Sequence, residues 1–190
     1  TIRQTQSRSR STFGKASKRV LLVTESFPAS ADDFRGALIL DFVEALRKRG
    51  VLPEVFATTL RPHDGSIELP VFGFADKASG AIADDAAATR LTSYFRIKEY
   101  LQMGTQALAA HLQEHEYDHI LALGAFPAGW ITSAATEVNG TPFSAWLQGP
   151  DLNVWVRKLL YGRIIRRTLR RARTLFANGD GLSEMATQIS

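Results

Sequence analysis

Short apolar runs alternate with helical segments along this chain, and that alternation limits the folds it can adopt. The run Val20–Thr24 is continuous, apolar and bounded by polar residues, which is typical of a strand buried on both faces. Further strands are predicted at Glu54–Thr58, Ile67–Phe74, His119–Leu123, Pro142–Leu147 and Thr174–Ala177. Because strands joined through helices run parallel, we expect an α/β fold with a doubly wound, mainly parallel sheet.

Helices are predicted between most of these strands. The clearest is Ala37–Arg49, whose last turn is basic and which Gly50 follows as a C-cap. The other predicted helices are Thr92–Glu116, Ala128–Val138, Val156–Arg173 and a last one starting near Gly181. Pro70 places the third strand near an edge or an end of the sheet. The segment Ala75–Arg90 fits either a loop or a weak helix.

Composition bounds the class of protein. The chain has 190 residues, room for one α/β domain, and its lack of cysteine excludes a disulfide framework, a thiolate metal site and a cysteine nucleophile. No run approaches the roughly 18 apolar residues that a membrane span needs. The N-terminal region lacks the apolar core of a secretory signal. We therefore expect a cytoplasmic protein.

The net charge of +4 hides an uneven distribution. Residues 1–19 carry six basic and no acidic side chains, residues 155–190 carry eight basic and two acidic ones, and residues 20–154 are acidic overall. The chain is thus a mildly acidic domain with a basic arm and a basic helix, which argues against a nucleic-acid partner. Residues 1–17 are polar with few apolar side chains, so we expect this arm to be disordered.

Four loops follow the carboxyl ends of predicted strands, where open α/β sheets bind ligands. They are Glu25–Gly36, Gly124–Pro127, Gln148–Asn153 and Asn178–Gly181. The first loop lacks the G-x-G-x-x-G pattern, which argues against a nicotinamide or flavin enzyme, and the chain has no P-loop. Gly36 precedes a helix N-terminus, so it either helps to hold a phosphate or only starts the helix.

The segment Gln148–Asn153 also has two interpretations. Gly149 would let a ligand approach the backbone, and Asp151 could accept hydrogen bonds from sugar hydroxyls. Alternatively, the segment is an ordinary tight turn in which Asp151 caps the next stretch of chain. No paired carboxylates, Ser-His-Asp set or metal cluster stands out in the sequence.

The histidines suggest no metal site. His111 and His115 are four residues apart on a predicted helix, but the intervening residues do not match the H-E-x-x-H zinc pattern. Two exposed helix histidines are therefore the favoured interpretation. His119 adjoins a strand and has no evident partner in the sequence.

The basic helix Val156–Arg173 offers a binding hypothesis. Its cations alternate with apolar residues, and the candidate anion contacts are Arg163, Arg166, Arg167 and Arg170. Such a helix could lie on an anionic membrane surface. It could equally pack against the sheet and expose a solvated basic face. A non-catalytic membrane-docking or partner-binding domain is thus an alternative function.

Four segments, in order, resemble the N-terminal half of a GT-B glycosyltransferase of the retaining group 1 class, family 4. The first loop, with Phe27-Pro28 and Gly36, resembles the family's F-P-P-x-x-G-G-type loop. The other matching segments are Asp118–Gly129, Pro142–Asn153 and Arg166–Met185, and the resemblance runs from about Lys18 to Gln188.

The resemblance implies a Rossmann-like domain at 18–190, one half of a GT-B architecture, that binds the sugar acceptor. A separate C-terminal domain would bind the donor, a UDP- or GDP-linked sugar, and the sugar would be transferred with retention to a glycan, lipid-linked or small-molecule acceptor. Gln148 and Asp151 would be catalytic. The binding residues would be Phe27, Pro28, Gly36, Gly124, Gly149 and Asn178. No metal, and no cofactor held by this domain alone, is implied.

Three departures from the family pattern qualify these expectations. Gln148 stands where the family often has a histidine, and it can hydrogen-bond a sugar but cannot act as an acid or a base. Asp32 and Asp33 stand near the usual glycine pair, where they would repel a diphosphate. The spaced glutamate pair of the C-terminal domain is absent from this sequence. We therefore expect a truncated chain that is inactive alone, from a cytoplasmic enzyme that could be peripheral at the membrane.

Overall fold

A parallel sheet of six strands organises the part of the chain that the computed structural model describes, residues 17–28, 30, 33, 37–59, 66–74, 90–153, 156 and 159–189. In chain order the strands are β1 Arg19–Ser26, β2 Leu52–Thr59, β3 Val71–Gly73, β4 His119–Leu123, β5 Phe143–Leu147 and β6 Thr174–Ala177. Across the sheet the order is β3-β2-β1-β4-β5-β6, and every neighbouring pair is parallel. The order reverses between β1 and β4, as in a Rossmann fold. The predicted doubly wound, parallel α/β sheet is confirmed.

Helices connect most of the strands. Within the described residues they are α1 Ala37–Lys48, α2 Arg90–Glu114, α3 Trp130–Asn139, α4 Gly149–Asn153, α5 Leu159–Arg171 and α6 Asp180–Ile189. A short turn, Ala125–Gly129, with a cis peptide bond before Pro127, separates β4 from α3. Gly50 and Gly140 follow α1 and α3 with positive φ angles of 75° and 69°, which confirms Gly50 as the predicted helix stop and shows that Gly140 ends α3 in the same way.

Two hydrophobic clusters lie on opposite faces of the sheet. Successive residues of a strand point to opposite faces, so Leu21 and Val23 enter the cluster beneath α2, α3, α5 and α6, while Leu22 enters the cluster beneath α1. All three side chains are fully buried. The prediction that this first strand is buried on both faces is confirmed.

The third strand is shorter than predicted. Only Val71–Gly73 pairs with β2, although the run Ile67–Phe74 suggested a longer strand. Pro70 has no N–H to donate, and its carbonyl oxygen accepts a hydrogen bond from the Val55 amide at 3.0 Å. The strand lies at an edge of the sheet, as Pro70 predicted.

Two other segments differ from the prediction. The helix α3 starts at Trp130, two residues after the predicted start at Ala128, and Phe126 in the preceding turn has extended angles (φ −149°, ψ 135°). The segment after β5 forms the short helix α4 where a turn or loop was expected. Buried Leu152 anchors that helix to the core.

The prediction of two exposed helix histidines is wrong for both residues. His111 is 9% exposed, and His115 is half-buried and follows the last residue of α2. The last turns of α2 pack over β2 and β3, so the His111 ring lies 5.6 Å from the Phe56 ring and 4.4 Å from the Phe72 ring, between centroids. His111 stacks on half-buried His115 at 4.3 Å. His119 also has a partner, because its Nε2 lies 2.9 Å from Ser144 Oγ.

Some predictions fall on residues outside the described part of the chain. They are the disordered arm, except for Ser17, the segment Ala75–Arg90, except for Arg90, and the residue Gly36.

Candidate functional site

The carboxyl ends of four adjacent strands carry the residues singled out in the sequence. Because β1, β4, β5 and β6 are neighbours and all parallel, the loops that leave them lie side by side along one edge of the sheet. Neighbouring strands are about 4.8 Å apart, so the four strand ends span about 15 Å. The four strand ends that precede these loops therefore lie side by side at one edge of the sheet.

The loop after β1 is anchored in the core. Phe27 and Pro28 are both buried, and Phe27 belongs to the cluster beneath α1 together with Val43 and Leu123. The first two residues after β1 are therefore held in the core.

The turn after β4 is built on two glycines at the point where the strand order reverses. Gly124 has a φ of 106°, a backbone conformation that residues other than glycine rarely adopt. Its amide donates a hydrogen bond to the Trp146 carbonyl at 2.8 Å. A Cβ on Gly129 would lie 2.7 Å from the Gly124 carbonyl oxygen. Sequence reasoning selected Gly124 and missed Gly129. Together they close a compact turn whose five residues Ala125–Gly129 are all buried.

The segment after β5 places Gln148 and Asp151 at the same edge. Gln148 is exposed immediately after the strand, and Asp151 lies within α4, with its side chain outside the described part of the structure. A Cβ on Gly149 would meet only Asn153 Nδ2, at an ordinary 3.6 Å. Packing among the described residues therefore does not require glycine at position 149.

Asn178, which follows β6, is joined to the neighbouring strand. Its Oδ1 accepts a hydrogen bond from Trp146 Nε1 at 2.8 Å. The Trp146 ring in turn contacts the edge of the Phe42 ring, with the centroids 5.1 Å apart. This chain of contacts ties the ends of β5 and β6 to α1.

A carboxylate that sequence reasoning did not select lies at the end of β1. Glu25 is half-buried beside the point of strand-order reversal. Its backbone carbonyl accepts a long hydrogen bond of 3.4 Å from Thr58 Oγ1, which also lies 2.6 Å from Tyr100 Oη. The signal was available, since Glu25 is the first charged residue after the apolar run of β1.

The basic helix α5 lies in the helix layer and contains all four predicted anion contacts. Arg163, Arg166, Arg167 and Arg170 are exposed. On the opposite side of the helix, Ile165 and Leu169 are buried in the core.

Glu137 of α3 neutralises part of this charge. Its Oε1 lies 3.3 Å from Arg167 Nη2 and 2.8 Å from Arg171 Nη1. The ion pairs found among the described residues include neither Arg163 nor Arg166.

Neither a metal centre nor a membrane span occurs within the described residues. No group of three or more His, Cys, Asp or Glu side chains in that part of the chain is arranged to hold a metal ion. Of the helices described there, none is both long and apolar enough to cross a membrane.

Comparison with known proteins gives structural matches only. A variant of Os79 from O. sativa in complex with UDP has a TM-score of 0.54 and 15% identity, over 89% of this chain and 48% of that one. Glycyrrhiza uralensis UGT73P12, complexed with glycyrrhetinic acid 3-O-monoglucuronide, has a TM-score of 0.53 and 12% identity, over 92% of this chain and 47% of that one. No protein-family model and no curated protein matches the sequence.

Both structural neighbours are UDP-glycosyltransferases of the GT-B fold. This chain spans about half the length of each. The likeness covers 89% and 92% of this chain, at identities that establish the fold alone. The chain therefore has the α/β, Rossmann-like fold found in these GT-B glycosyltransferases.

Proposed function

We propose that this chain is the acceptor-side half of a glycosyltransferase that moves a sugar from a nucleotide-sugar donor to a glycan, lipid-linked or small-molecule acceptor. The observation that carries the proposal is the structural match of 89% of this chain to about half of a glycosyltransferase that is in complex with UDP. Open α/β sheets bind ligands at the carboxyl ends of their strands, and the polar loops of this chain lie there.

The proposed roles follow from the chemistry available at that edge. The exposed amide of Gln148 can both donate hydrogen bonds to sugar hydroxyls and accept them, and the Asp151 carboxylate can accept them. Gln148 and Asp151 would face the transferred sugar. The surrounding backbone would be supplied by Phe27, Pro28, Gly36, Gly124, Gly149 and Asn178.

The finer features of the proposal rest on the resemblance of the sequence. They are transfer with retention, as in family 4, a UDP- or GDP-linked donor, and a C-terminal domain that binds this donor. On this proposal the 190 residues alone are inactive, because the donor site belongs to the other domain. No metal or further cofactor is required of this half.

The test uses the full-length polypeptide that contains these residues, supplied with UDP- and GDP-sugars and a panel of acceptors. We expect Asp151→Ala and Gln148→Ala each to lower kcat/KM by at least about tenfold, about 1.4 kcal/mol of transition-state stabilisation. Nuclear magnetic resonance of the fresh product would report whether the anomeric configuration is retained.

The matched control is Lys48→Ala, an exposed residue at the end of α1 whose side chain pairs only with Glu44 among the ion pairs described. Its kcat/KM should stay within about twofold of the wild type, as for a surface change away from the site. Wild-type rates in both site variants would remove Gln148 and Asp151 from the proposal. Failure to transfer any sugar would remove the proposal itself.

A second function is favoured by the exposed cations of α5. On this alternative the domain docks to an anionic membrane surface at the cytoplasmic side, or to an acidic partner, without catalysis. Since Ile165 and Leu169 are buried in the core, the attraction would be electrostatic and would involve no insertion of the helix. The two functions are compatible in an enzyme that acts on a lipid-linked acceptor.

Vesicle sedimentation tests this alternative. Each basic residue near an anionic surface contributes about 1 kcal/mol, so Arg163→Glu with Arg166→Glu should weaken binding to phosphatidylserine vesicles by at least about tenfold. Binding to phosphatidylcholine vesicles should be absent, and higher salt should release the protein. Binding that ignores both lipid charge and salt contradicts the electrostatic mechanism.

A further inference from the structure

A pocket of about 520 Å³ opens in the helix layer. Its walls come from α2, α3 and α5. The apolar residues that line it are Ile97, Leu101, Trp130, Ala134, Tyr161 and Ile164. Cavities of this size hold small molecules, for which the usual range is about 300 to 1,000 Å³. The residues assigned above to sugar transfer are not among those that line it.

The walls of the pocket are held by contacts behind them. A Cβ on Gly104 would lie 2.7 Å from Ile131 Cδ1, so the Ile131 side chain of α3 packs directly against the α2 backbone at this point. Tyr161 contacts the buried Phe126 ring edge to face at 5.1 Å between centroids. The Arg167 guanidinium lies 5.8 Å from the centre of the Trp130 ring. These contacts join the walls of the pocket to neighbouring side chains of the same fold.

The polar groups at the pocket come mainly from one helix. Lys98, Gln102 and Gln106 of α2 are exposed and line the pocket, and Lys98 is the one charged residue among its described lining. Thr105 also lines it, but its hydroxyl donates to the Leu101 carbonyl of its own helix at 2.8 Å. A ligand would therefore meet apolar walls inside and a cation with two amides at the mouth.

We propose that this pocket binds a small amphipathic anion, with an apolar ring system or chain between α2, α3 and α5 and a carboxylate or sulfonate at Lys98. Burying an apolar body against these walls provides most of the affinity, at about 25 cal/mol for each Å² removed from water. Because Lys98 pairs with the charged end, the pocket binds the anionic ligand more tightly than an uncharged analogue. The proposal is independent of sugar transfer, since it uses none of the residues at the sheet edge.

The test compares two fluorescent probes with the same ring system, anilinonaphthalene sulfonate and the uncharged N-phenylnaphthylamine. We expect each to bind the native protein at one site, with the sulfonate tighter. Ala134→Phe puts a ring into the pocket and should weaken both probes by at least about tenfold. Lys98→Glu reverses the charge at the mouth and should weaken the sulfonate about fivefold, with the uncharged probe changed less than about twofold.

Lys48→Glu is the matched control, since it changes the net charge equally at an exposed residue of α1, on the other face of the sheet. It should change neither affinity. Lys98 is exposed, so its variant keeps the native fold even if Ala134→Phe does not. Absence of binding by the wild type, or unaltered binding of both probes to a folded Ala134→Phe variant, overturns the site. If the sulfonate binds the wild type and Lys98→Glu with equal affinity, the proposed contact between Lys98 and the anionic group is overturned.

Discussion

At the scale of single residues, a chain of buried and half-buried polar groups joins β1, β2 and the end of α2. Arg19 Nη2 donates to Glu54 Oε1 at 2.8 Å, and Tyr117 Oη donates to Glu54 Oε2 at 2.8 Å. His111 Nε2 lies 2.8 Å from the same Tyr117 oxygen. Since Tyr117 donates its proton to Glu54, His111 must donate to Tyr117, which places the imidazole proton on Nε2. The arrangement accommodates a neutral imidazole.

Titration of His111 makes the stability of the fold depend on pH. Burial lowers the pKa of His111 to about 4 from 6.5, with further lowering by His115 and Arg19 and an opposing effect of Glu54. The unfolded chain binds a proton at this histidine near pH 6.5 and the folded chain does so only near pH 4. Stability is therefore lost as the pH falls through this window, by about 2 to 3 kcal/mol.

The variant His111→Gln tests this prediction, because its amide can still donate to Tyr117 but cannot titrate. At pH 7.5 we expect the variant to be less stable than the wild type, since it loses the ring packing against Phe72. The difference should shrink as the pH approaches 4.5 in urea unfolding. Two parallel stability curves from pH 7.5 to 4.5 would mean that folding does not hold His111 neutral.

At the scale of elements, the entry into α5 depends on one glycine. A Cβ on Gly162 would lie 2.4 Å from the Val156 carbonyl oxygen, closer than any real contact. The Val156 carbonyl group thus lies directly against the helix at the Gly162 position. Forcing the two apart costs about 1 to 3 kcal/mol, against about 1 kcal/mol that alanine gains from its helix propensity.

We therefore expect Gly162→Ala to destabilise the protein by about 1 kcal/mol net in denaturant unfolding. The control is Gly181→Ala in the first turn of α6, where no atom lies within 4 Å of the added Cβ. That variant should match the wild type or be slightly more stable. If Gly162→Ala proves more stable than the wild type, the Val156 carbonyl group moves aside without cost.

At the scale of the whole molecule, burial falls from the centre of the sheet to its edges. Leu21, Leu22 and Val23 in β1 and Ile120 and Ala122 in β4 are fully buried. The edge strand β3 is only half-buried along its three residues, and β6 alternates between exposed and half-buried positions. The edge strands therefore have less apolar burial holding them than the central ones.

Native-state hydrogen exchange should follow this gradient. We expect the amides of β1 and β4 to exchange only through global unfolding, and those of β3 and β6 through smaller openings with a weaker dependence on denaturant. The measurement is exchange at increasing denaturant, followed by mass spectrometry or nuclear magnetic resonance. If the amides of β6 exchange as slowly as those of β1, then β6 is protected by contacts other than those described among these residues.

Several features of the fold were predictable because they depend on neighbours in the sequence. The apolar run of β1, the glycine stops after α1 and α3, and the edge position implied by Pro70 are local signals, and the structure contains all of them. Parallel strands must share the direction of their carboxyl ends, so the convergence of the four loops also followed from the order of strands and helices. Predictions for residues 1–16 and Gly36 stay predictions.

Only the tertiary structure decided which distant residues meet. Three contacts each join segments 30 or more residues apart. His111 packs against Phe72 of β3, Asn178 accepts a hydrogen bond from Trp146, and Glu137 pairs with Arg167 of α5. The pocket between α2, α3 and α5 has no signature in any one helix, because each helix contributes only part of a wall. The sequence alone determined the elements and their alternation, since propensity and periodicity act over a few residues. Which distant residues contact each other was set by the strand order and the helix packing, which no local pattern encodes.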